Sequence, residues 1–336
     1  MASATETVTY DQLFSLTERT RTDRVTDNIG NSTPNLDIFH AAGQVEVASG
    51  GESIEERLLY AYQDTEWMSD RQKVSTEDKE GITKAIYPWR YCLSPVNISL
   101  TDELRARASE TKAMDFAESK IIQSRQGLRT GINTTMAGAQ SGKSMLGFQD
   151  TIRDSVSTGT LGGIDLSAAA NSWFRNNAYT TAVTWTTQTV ANLYNGWVQL
   201  GVQFEAASDV NDEVTHIGTG ATIYGEMLST LESAGYTRFV NATSYSLGAK
   251  GGQKTGQGPM FRGAQIYKDR SFAASHVYLY NVKALKLKIL EGANFSKTRF
   301  VQADANGILA KIAFYVVGIQ FVAVNPRRTS VMTTVT

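Results

Sequence analysis

The chain has 336 residues and a net charge of −1, from 32 Lys and Arg against 33 Asp and Glu, so it lacks the basic excess of a dedicated nucleic-acid binder. A single cysteine, Cys92, excludes an internal disulfide, and three scattered histidines offer no ligand set for a structural zinc ion. Charged residues make up 19% of the chain, below the ~25% of an average soluble domain, which favours a surface that contacts other protein chains.

Residues 1–43 are predicted to form an arm with no hydrophobic core of its own. They show little apolar periodicity, and residues 28–35 are rich in the Asn, Gly and Pro that favour turns. We expect this arm to be disordered alone or ordered by a neighbouring chain. The first 30 residues carry five acids and no apolar stretch, so no signal peptide is expected and synthesis in a cytoplasm is predicted.

Residues 44–95 are predicted to form a long hairpin with two arms. The returning arm alternates Tyr87, Trp89, Tyr91 and Leu93 with polar or small residues, as a half-buried strand does. The tip, residues 66–80, holds five acids and three bases. The alternative is an irregular surface loop, although loops of this length are usually functional or disordered.

Two helices stand out in the middle of the chain. Residues 99–129 begin with a capping pattern at Ser99 and Asp102 and keep apolar residues on one face, which predicts a rod of about 40 Å. Residues 184–204 place apolar residues at spacings of three and four, opposite a face of amides and hydroxyls. Such an uncharged outer face is more typical of a surface that contacts another chain.

The second half of the chain predicts short strands and one further helix. The helix covers residues 222–233, and the strands cover 214–217, 264–268, 277–281, 285–290 and 309–324. The most apolar run, residues 312–324, is too short for a bilayer span of ~20 residues and predicts a buried strand pair or core segment. The element order indicates an α+β fold with antiparallel sheet, in about two domains.

Three glycine-containing segments could bind phosphate. Residues 137–144 nearly match the phosphate-binding loop G-x-x-x-x-G-K-[ST], with Lys143 and Ser144 in the functional positions, but Ala137 replaces the first glycine and no strand is predicted before it. A flexible turn is the favoured interpretation. Residues 218–220 lack the third glycine of a dinucleotide fingerprint. The basic loop 248–263 could bind phosphate, or could be a tip where copies of the chain converge.

No arrangement in the sequence predicts an active site. His40, His216 and His276 lack a nearby serine and carboxylate in the order of a catalytic triad, and Cys92 has no nucleophile motif. We therefore expect no enzyme activity, no cofactor and no bound metal.

The order of these parts resembles the major capsid protein of tailed bacteriophages, whose fold is shared with encapsulins. An arm, a hairpin with a charged tip, a rod helix and an α+β body follow one another in that family. Short segments of the sequence also resemble segments of that family, at residues 34–54, 85–90, 159–165, 173–176, 277–281 and 325–327.

The resemblance implies a wedge of two domains with extensions. Its parts would be an N-terminal arm (1–43), an extended hairpin loop (44–95), a peripheral domain with the spine helix (96–182), an axial domain (183–300) and a C-terminal strand that returns to the peripheral domain (301–336). The implied function is self-assembly into the icosahedral or prolate head of a tailed phage, around double-stranded DNA. The alternatives are an encapsulin-like compartment shell and, from another class, a P-loop nucleotide hydrolase that uses Lys143 and Ser144.

The resemblance also implies partners and contacts. The chain would form pentamers and hexamers with itself, meet a portal, contact packaged DNA without sequence preference and leave room for a decoration protein, with no membrane. A separate scaffolding protein is expected, because no scaffold-like segment precedes the arm. The location would be the virion capsid, after assembly in the host bacterial cytoplasm. Side chains expected to contact neighbouring subunits are Trp67, Arg71, Lys73, Lys79, Lys84, Trp89 and Arg90.

Overall fold

A computed structural model describes residues 33–71, 73, 77–99, 110–183, 190–210, 212–233, 260–302 and 310–333. The helices in these residues are α1 (Pro34–Ala41), α2 (Glu110–Ala137), α3 (Phe148–Thr151), α4 (Val190–Ala207) and α5 (Ala221–Ser233). The first eight strands are β1 (Val45–Ala48), β2 (Ser53–Leu59), β3 (Ile82–Pro88), β4 (Arg90–Ser99), β5 (Thr160–Leu161), β6 (Ile164–Asp165), β7 (Asn177–Tyr179) and β8 (His216–Thr219). The other strands are β9 (Met260–Phe261), β10 (Ala264–Lys268), β11 (Val277–Tyr280), β12 (Leu285–Leu290), β13 (Ser296–Lys297), β14 (Val301–Gln302), β15 (Ala310–Ala323) and β16 (Thr329–Met332).

The first sheet is built around β15. One edge of this strand pairs with β4 over ten residues, from Ala310 opposite Ser99 to Ile319 opposite Arg90. The other edge pairs in turn with β14, β13 and β12, and β1 adds to the outer side of β12. Alternation along β12 buries Leu285, Leu287 and Ile289, so one face of the sheet enters the core.

The second sheet has the strand order β7-β16-β11-β8-β10-β9. Strand β11 (Val277–Tyr280) is buried on both faces, because helices cover one face and the first sheet's core covers the other. On the helix side, Leu200 of α4 and Ile223 of α5 pack with Val277 and Leu279. On the other side, Tyr278 and Tyr280 join the core of the first sheet.

Phe148 of the short helix α3 connects the parts of this core. Its ring centroid lies 5.2 Å from that of Tyr280, 5.6 Å from Tyr278, 5.3 Å from Phe321 of β15 and 6.3 Å from Phe39 of α1. Aromatic rings at such separations bury much area and gain further from edge and tilted contacts. The two sheets and α1 therefore share one aromatic centre.

A buried carboxylate forms a second link between the sheets. Asp269, which is 3% exposed, accepts hydrogen bonds from Asn35 of α1 (2.8 Å) and Asn133 of α2 (2.7 Å). The Tyr267 hydroxyl donates to Asn35 Oδ1 (2.7 Å) and lies 2.7 Å from the Tyr280 hydroxyl. Because a buried carboxylate needs hydrogen-bond partners, these contacts hold α1 and α2 against the second sheet.

The α+β class predicted from the sequence is confirmed, and several boundaries agree closely. Strands at 264–268 and 285–290 match β10 and β12, and the apolar run at 309–324 is one long strand. Most described strand pairs are antiparallel, as expected, but β1 with β12, β8 with β10 and β7 with β16 are parallel pairs.

Three segments differ from the sequence predictions. Residues 34–41, expected in the arm, form α1, which buries Leu36, Ile38 and Phe39. The spine helix continues past the predicted end at 129 to Ala137, because Ile132 and Met136 are buried in the core and their packing outweighs two glycines. Its predicted cap lies at residues 99–102, of which Ser99 ends β4 and the others fall outside the described residues.

The two sheets draw strands from widely separated parts of the chain. Strand β12, within the segment expected to be axial, pairs with β15 in the first sheet. Strand β16, within the segment expected to return to the peripheral domain, pairs with β11 in the second sheet. The chain thus crosses between the sheets more than once. Among the described helices, none has both the length and the apolarity needed to cross a membrane.

Replacing Phe148 with Ala should reduce the free energy of unfolding by about 4 kcal/mol, because it removes a fully buried ring from the aromatic centre and leaves a cavity. Urea unfolding followed by circular dichroism measures this. Val210→Ala, at a side chain that is 88% exposed, is the control and should change stability by less than about 0.5 kcal/mol. Similar losses in both variants would contradict the role given to Phe148.

Candidate functional site

The hairpin of β2 and β3 carries the exposed tip predicted from the sequence. Strands β2 and β3 pair antiparallel in continuous register, from Ser53 opposite Pro88 to Leu59 opposite Ile82. One face of the hairpin is buried, whereas Leu59 and Ile82 at its outer end are 60% and 66% exposed. The paired strands therefore occupy 53–59 and 82–88, within the 44–95 segment expected from the sequence.

Beyond the paired strands, the described residues between 60 and 81, which include the tip at 66–80, expose apolar side chains beside charged ones. Trp67 is 96% exposed and Met68 is 67% exposed. The base of the tip is ordered by Gln63, whose amide donates to Asp78 (2.6 Å), and by Lys79 Nζ, which lies 3.0 Å from Asp64 Oδ1. Large apolar side chains in water are costly, so this tip has the composition of a contact surface.

The root of the hairpin is held on one side by the loop between β5 and β6. The Ile86 N–H donates to the Gly162 carbonyl (2.8 Å). Gly162 has a φ of +58°, and a Cβ on it would lie 2.8 Å from both Ala85 Cβ and Tyr87 Cζ. Glycine is needed there because the backbone itself packs against β3.

A cluster of four charged side chains holds the other side of the root. Lys288 of β12 lies 2.5 Å from Glu46 of β1 and 2.6 Å from Glu56 of the hairpin, and Lys286 lies 2.8 Å from Glu46. The Lys288 and Glu56 side chains are only 15% and 13% exposed. The hairpin is thus joined to the first sheet by one shared ammonium group.

The charges in this cluster shift one another's protonation. Burial alone would raise the pKa of Glu46, but hydrogen bonds from Lys286 and Lys288 outweigh it and lower the pKa. Burial alone would lower the pKa of Lys288, but Glu46 and Glu56 outweigh it and raise the pKa. Both shifts favour the charged forms, so Glu46 and Lys288 are ionised at neutral pH.

Two buried polar side chains complete the root. The Tyr87 hydroxyl donates to the Ala323 carbonyl at the end of β15 (3.0 Å), and burial raises the pKa of this tyrosine above its usual value. Gln320, which is 1% exposed, donates to the Pro88 carbonyl (3.0 Å) and accepts from the Leu146 N–H (3.0 Å). Farther out, Tyr60 stacks on Trp173 with ring centroids 5.3 Å apart.

The strand phase reverses where the hairpin joins the first sheet. Tyr87 and Trp89 are buried, but Tyr91 and Leu93, two and four residues later, are 57% and 56% exposed. The cause is a change of partner, since β3 pairs with β2 up to Pro88 and β4 pairs with β15 from Arg90. The single face expected for the returning arm is therefore wrong.

Five of the seven predicted contact residues are exposed on the hairpin: Trp67, Arg71, Lys73, Lys79 and Lys84. Lys84 forms a surface ion pair with Glu55 at 3.1 Å. Trp89 and Arg90 are different, because they lie at the root. Trp89 is 8% exposed and packs in the core, and Arg90 is half-buried.

Comparison with solved structures identifies the fold. The chain superposes on a chain of the cyanophage A-1(L) capsid asymmetric unit with a TM-score of 0.64 and 16% identity, covering 93% of this chain and 96% of that one. It superposes on a capsid chain of a native GTA particle with a TM-score of 0.52 and 10% identity, covering 94% and 95%. For the capsid of Myoviridae phage XM1 the TM-score is 0.52 and the identity 12%, covering 88% and 91%. The chain has the phage capsid fold. No protein-family model and no curated protein sequence matches it.

Within the phage capsid fold, residues 137–144 do not form a phosphate-binding loop. The spine helix α2 precedes them, where a nucleotide site needs a strand. The loop amides are also occupied, since Gln140 N–H and Gly147 N–H donate to Asp150 Oδ2 (2.6 and 2.9 Å) and Ser141 N–H donates to Ser144 Oγ (2.9 Å). The hypothesis of a nucleotide hydrolase is therefore wrong in its geometry.

The other residues considered for chemistry have structural surroundings in this capsid fold. His216 stacks on Tyr280, and burial lowers its pKa to about 4, so it is neutral at pH 7. Burial raises the pKa of the half-buried Cys92, which makes its thiol less reactive. No group of three or more metal-ligating side chains occurs among the described residues. The basic loop at 248–263 lies outside the described residues up to residue 259.

The root residues Gly162, Glu56, Lys288 and Gln320 were not singled out by the sequence. For Lys288 the sequence did contain one indication. It alternates with buried residues in β12, which places it on the face of the strand opposite the core. Its carboxylate partners are 242 and 232 residues away, which no local pattern encodes.

Lys288→Met should lower the free energy of unfolding by about 2 kcal/mol, because Glu46 and the nearly buried Glu56 lose their shared cation. The matched control, Lys84→Met, removes an exposed pair and should cost less than about 1 kcal/mol. Urea unfolding at pH 7 compares them. Equal costs would show that the cluster does not hold the root.

The same cluster predicts a dependence on pH. The folded-state pKa of Glu46 lies below 4.5, so the stabilisation it gives is complete above that pH and is lost as the pH falls through the folded-state value. The stability difference between wild type and Lys288→Met should therefore shrink as the pH falls below about 4.5. Urea midpoints of both proteins at pH 7, 5 and 4 test this, and a constant difference would contradict it.

Proposed function

We propose that this chain is the major capsid protein of a tailed phage, a structural protein that assembles with copies of itself into a shell around DNA. The observation that carries the proposal is the hairpin, which is fixed at its root and exposes Trp67, Met68, Leu59 and Ile82 at its outer end. A protein that stays isolated gains no stability from such an exposed hairpin. The phage capsid fold of the whole described chain supports the same conclusion.

The physics of a shell explains the arrangement. Each subunit makes similar contacts in slightly different surroundings, which suits an extended element more than a broad rigid face. Apolar side chains at the tip supply contact energy, while Arg71, Lys73 and Lys79 set the register against a neighbour. Each contact can be weak, because a subunit held by many neighbours gains by multivalency.

The partners follow from this proposal. Copies of the chain would gather in pentamers and hexamers, with a separate scaffolding protein, a portal and room for a decoration protein. The net charge of −1 supports contact with DNA that is weak and independent of sequence. The place of action would be the virion capsid, after assembly in the bacterial cytoplasm.

The tip provides the direct test. Replacing residues 61–80 with an Asn-Gly turn should leave the paired strands and the body folded, because the replaced segment lies beyond them. Shell formation should be lost, since the exposed contacts are gone. Negative-stain microscopy and sedimentation measure assembly in the presence of the scaffolding protein, and circular dichroism measures folding. Normal shells from the shortened chain would contradict the proposed role of the hairpin.

A single substitution refines this test. Trp67→Ser should slow or reduce assembly at least tenfold without changing the melting temperature, because its ring is almost fully in water in the isolated chain. Val210→Ser, also at an exposed apolar residue, is the matched control and should assemble normally. Shells that form readily without any scaffolding protein would favour the encapsulin-like alternative.

A further inference from the structure

A groove lies between the spine helix α2, the helix α1 and the inner face of the first sheet. Its volume is about 680 Å³. Its floor is apolar and comes from Leu287, Ile289, Val317 and Ile319 of the sheet. Nothing in the hairpin or its root uses this groove, so it is separate from the proposed assembly contacts.

The walls and mouth of the groove differ in chemistry. Ile122 and Ile132 of α2 and Leu36 of α1 continue the apolar lining, while Arg125 and Arg129 lie along the rim. Arg129 pairs with Asp37 of α1 at 3.3 Å, and Arg125 lies over the Tyr315 ring, so the apolar lining is what distinguishes the groove. The groove therefore fits an apolar segment.

Phe295 at the groove has an unusual backbone. Its φ is +49°, in the left-handed region that bulky side chains avoid. Such a conformation persists only where the surroundings hold it, and it is often found next to a binding site. This strained backbone, together with the apolar lining, indicates that the groove binds a segment.

The chain itself contains a segment of the required chemistry. Residues 10–16, YDQLFSL, are the densest group of large apolar residues in the first 32, and Asp11 is their single charge. The described chain begins at Thr33, three residues before Leu36 in the groove wall. The 17 residues from Leu16 to Thr33 span up to ~60 Å, longer than the ~42 Å of α2, so the segment reaches the whole groove.

We propose that residues 10–16 of the chain bind in this groove of the same subunit, with Leu13 and Phe14 on the apolar floor. The arm would then brace α2 against the first sheet from within its own subunit. This inference does not depend on the proposed function, because it concerns the unassembled chain.

Disulfide trapping in the full-length chain tests the proposal. In a Cys92→Ala background, the pair Leu13→Cys and Gln126→Cys should form a disulfide within one chain under mild oxidation, at least tenfold faster than the control pair Leu13→Cys and Val210→Cys. Gln126 lines the groove and Val210 is exposed elsewhere. Gel mobility and mass spectrometry of unassembled protein provide the measurement, after circular dichroism has shown that each variant is folded.

A third substitution separates binding from chance collision. Adding Phe14→Ala to the first pair should slow its disulfide formation at least threefold, because an apolar anchor is lost. Equal rates for the two pairs, no effect of Phe14→Ala, or a disulfide that joins two chains would each overturn the proposal. A failure of shell assembly in the other experiments would leave these rates unchanged, so the two ideas fail separately.

Discussion

Strand β15 is hydrogen-bonded along both edges, and the positions of the other parts follow from this pairing. Its one edge carries β4, which continues directly from the hairpin, and its other edge carries β12, which supplies Lys288 to the hairpin root. Gln320 and the Ala323 carbonyl on the same strand hold Pro88 and Tyr87. The hairpin is therefore positioned by a strand that is itself fixed on both sides.

The body and the hairpin root are held by different kinds of interaction. Apolar contact dominates the body, where Phe148 joins both sheets and α1, and the gain there depends on area more than on direction. At the root, hydrogen bonds and the Lys288 cluster add to the apolar contacts of the hairpin's buried face, and these polar interactions depend on direction. Apolar contact favours a compact body, and the polar interactions favour one orientation of the hairpin. A subunit that must present its hairpin to neighbours needs both.

Local patterns predicted the elements better than their partners. Alternation in Leu285–Leu290 gave its strand and buried face, because both depend on neighbours two residues away. The same rule failed at Trp89, where alternation continues in the sequence but the paired strand changes. Helix α1 was missed because its stability comes from burying Phe39 against distant rings and not from propensity. The charged tip could be predicted from composition, but the root that orients it could not, since most of its contacts join residues more than 200 positions apart.

The length of the free tip sets how firmly the rest of the hairpin must be held. The exposed Trp67 lies seven residues beyond Tyr60, which stacks on Trp173, and at ~3.3 Å each these residues extend up to about 23 Å. On a lever of this length, a rotation of about 5° at its base displaces the outer end by about 2 Å, enough to break a side-chain contact. Contacts from Gly162, Lys288, Tyr87 and Gln320 approach the root from different directions and so resist rotation about more than one axis. Because the root limits angular error, the outer end of the hairpin keeps a defined position.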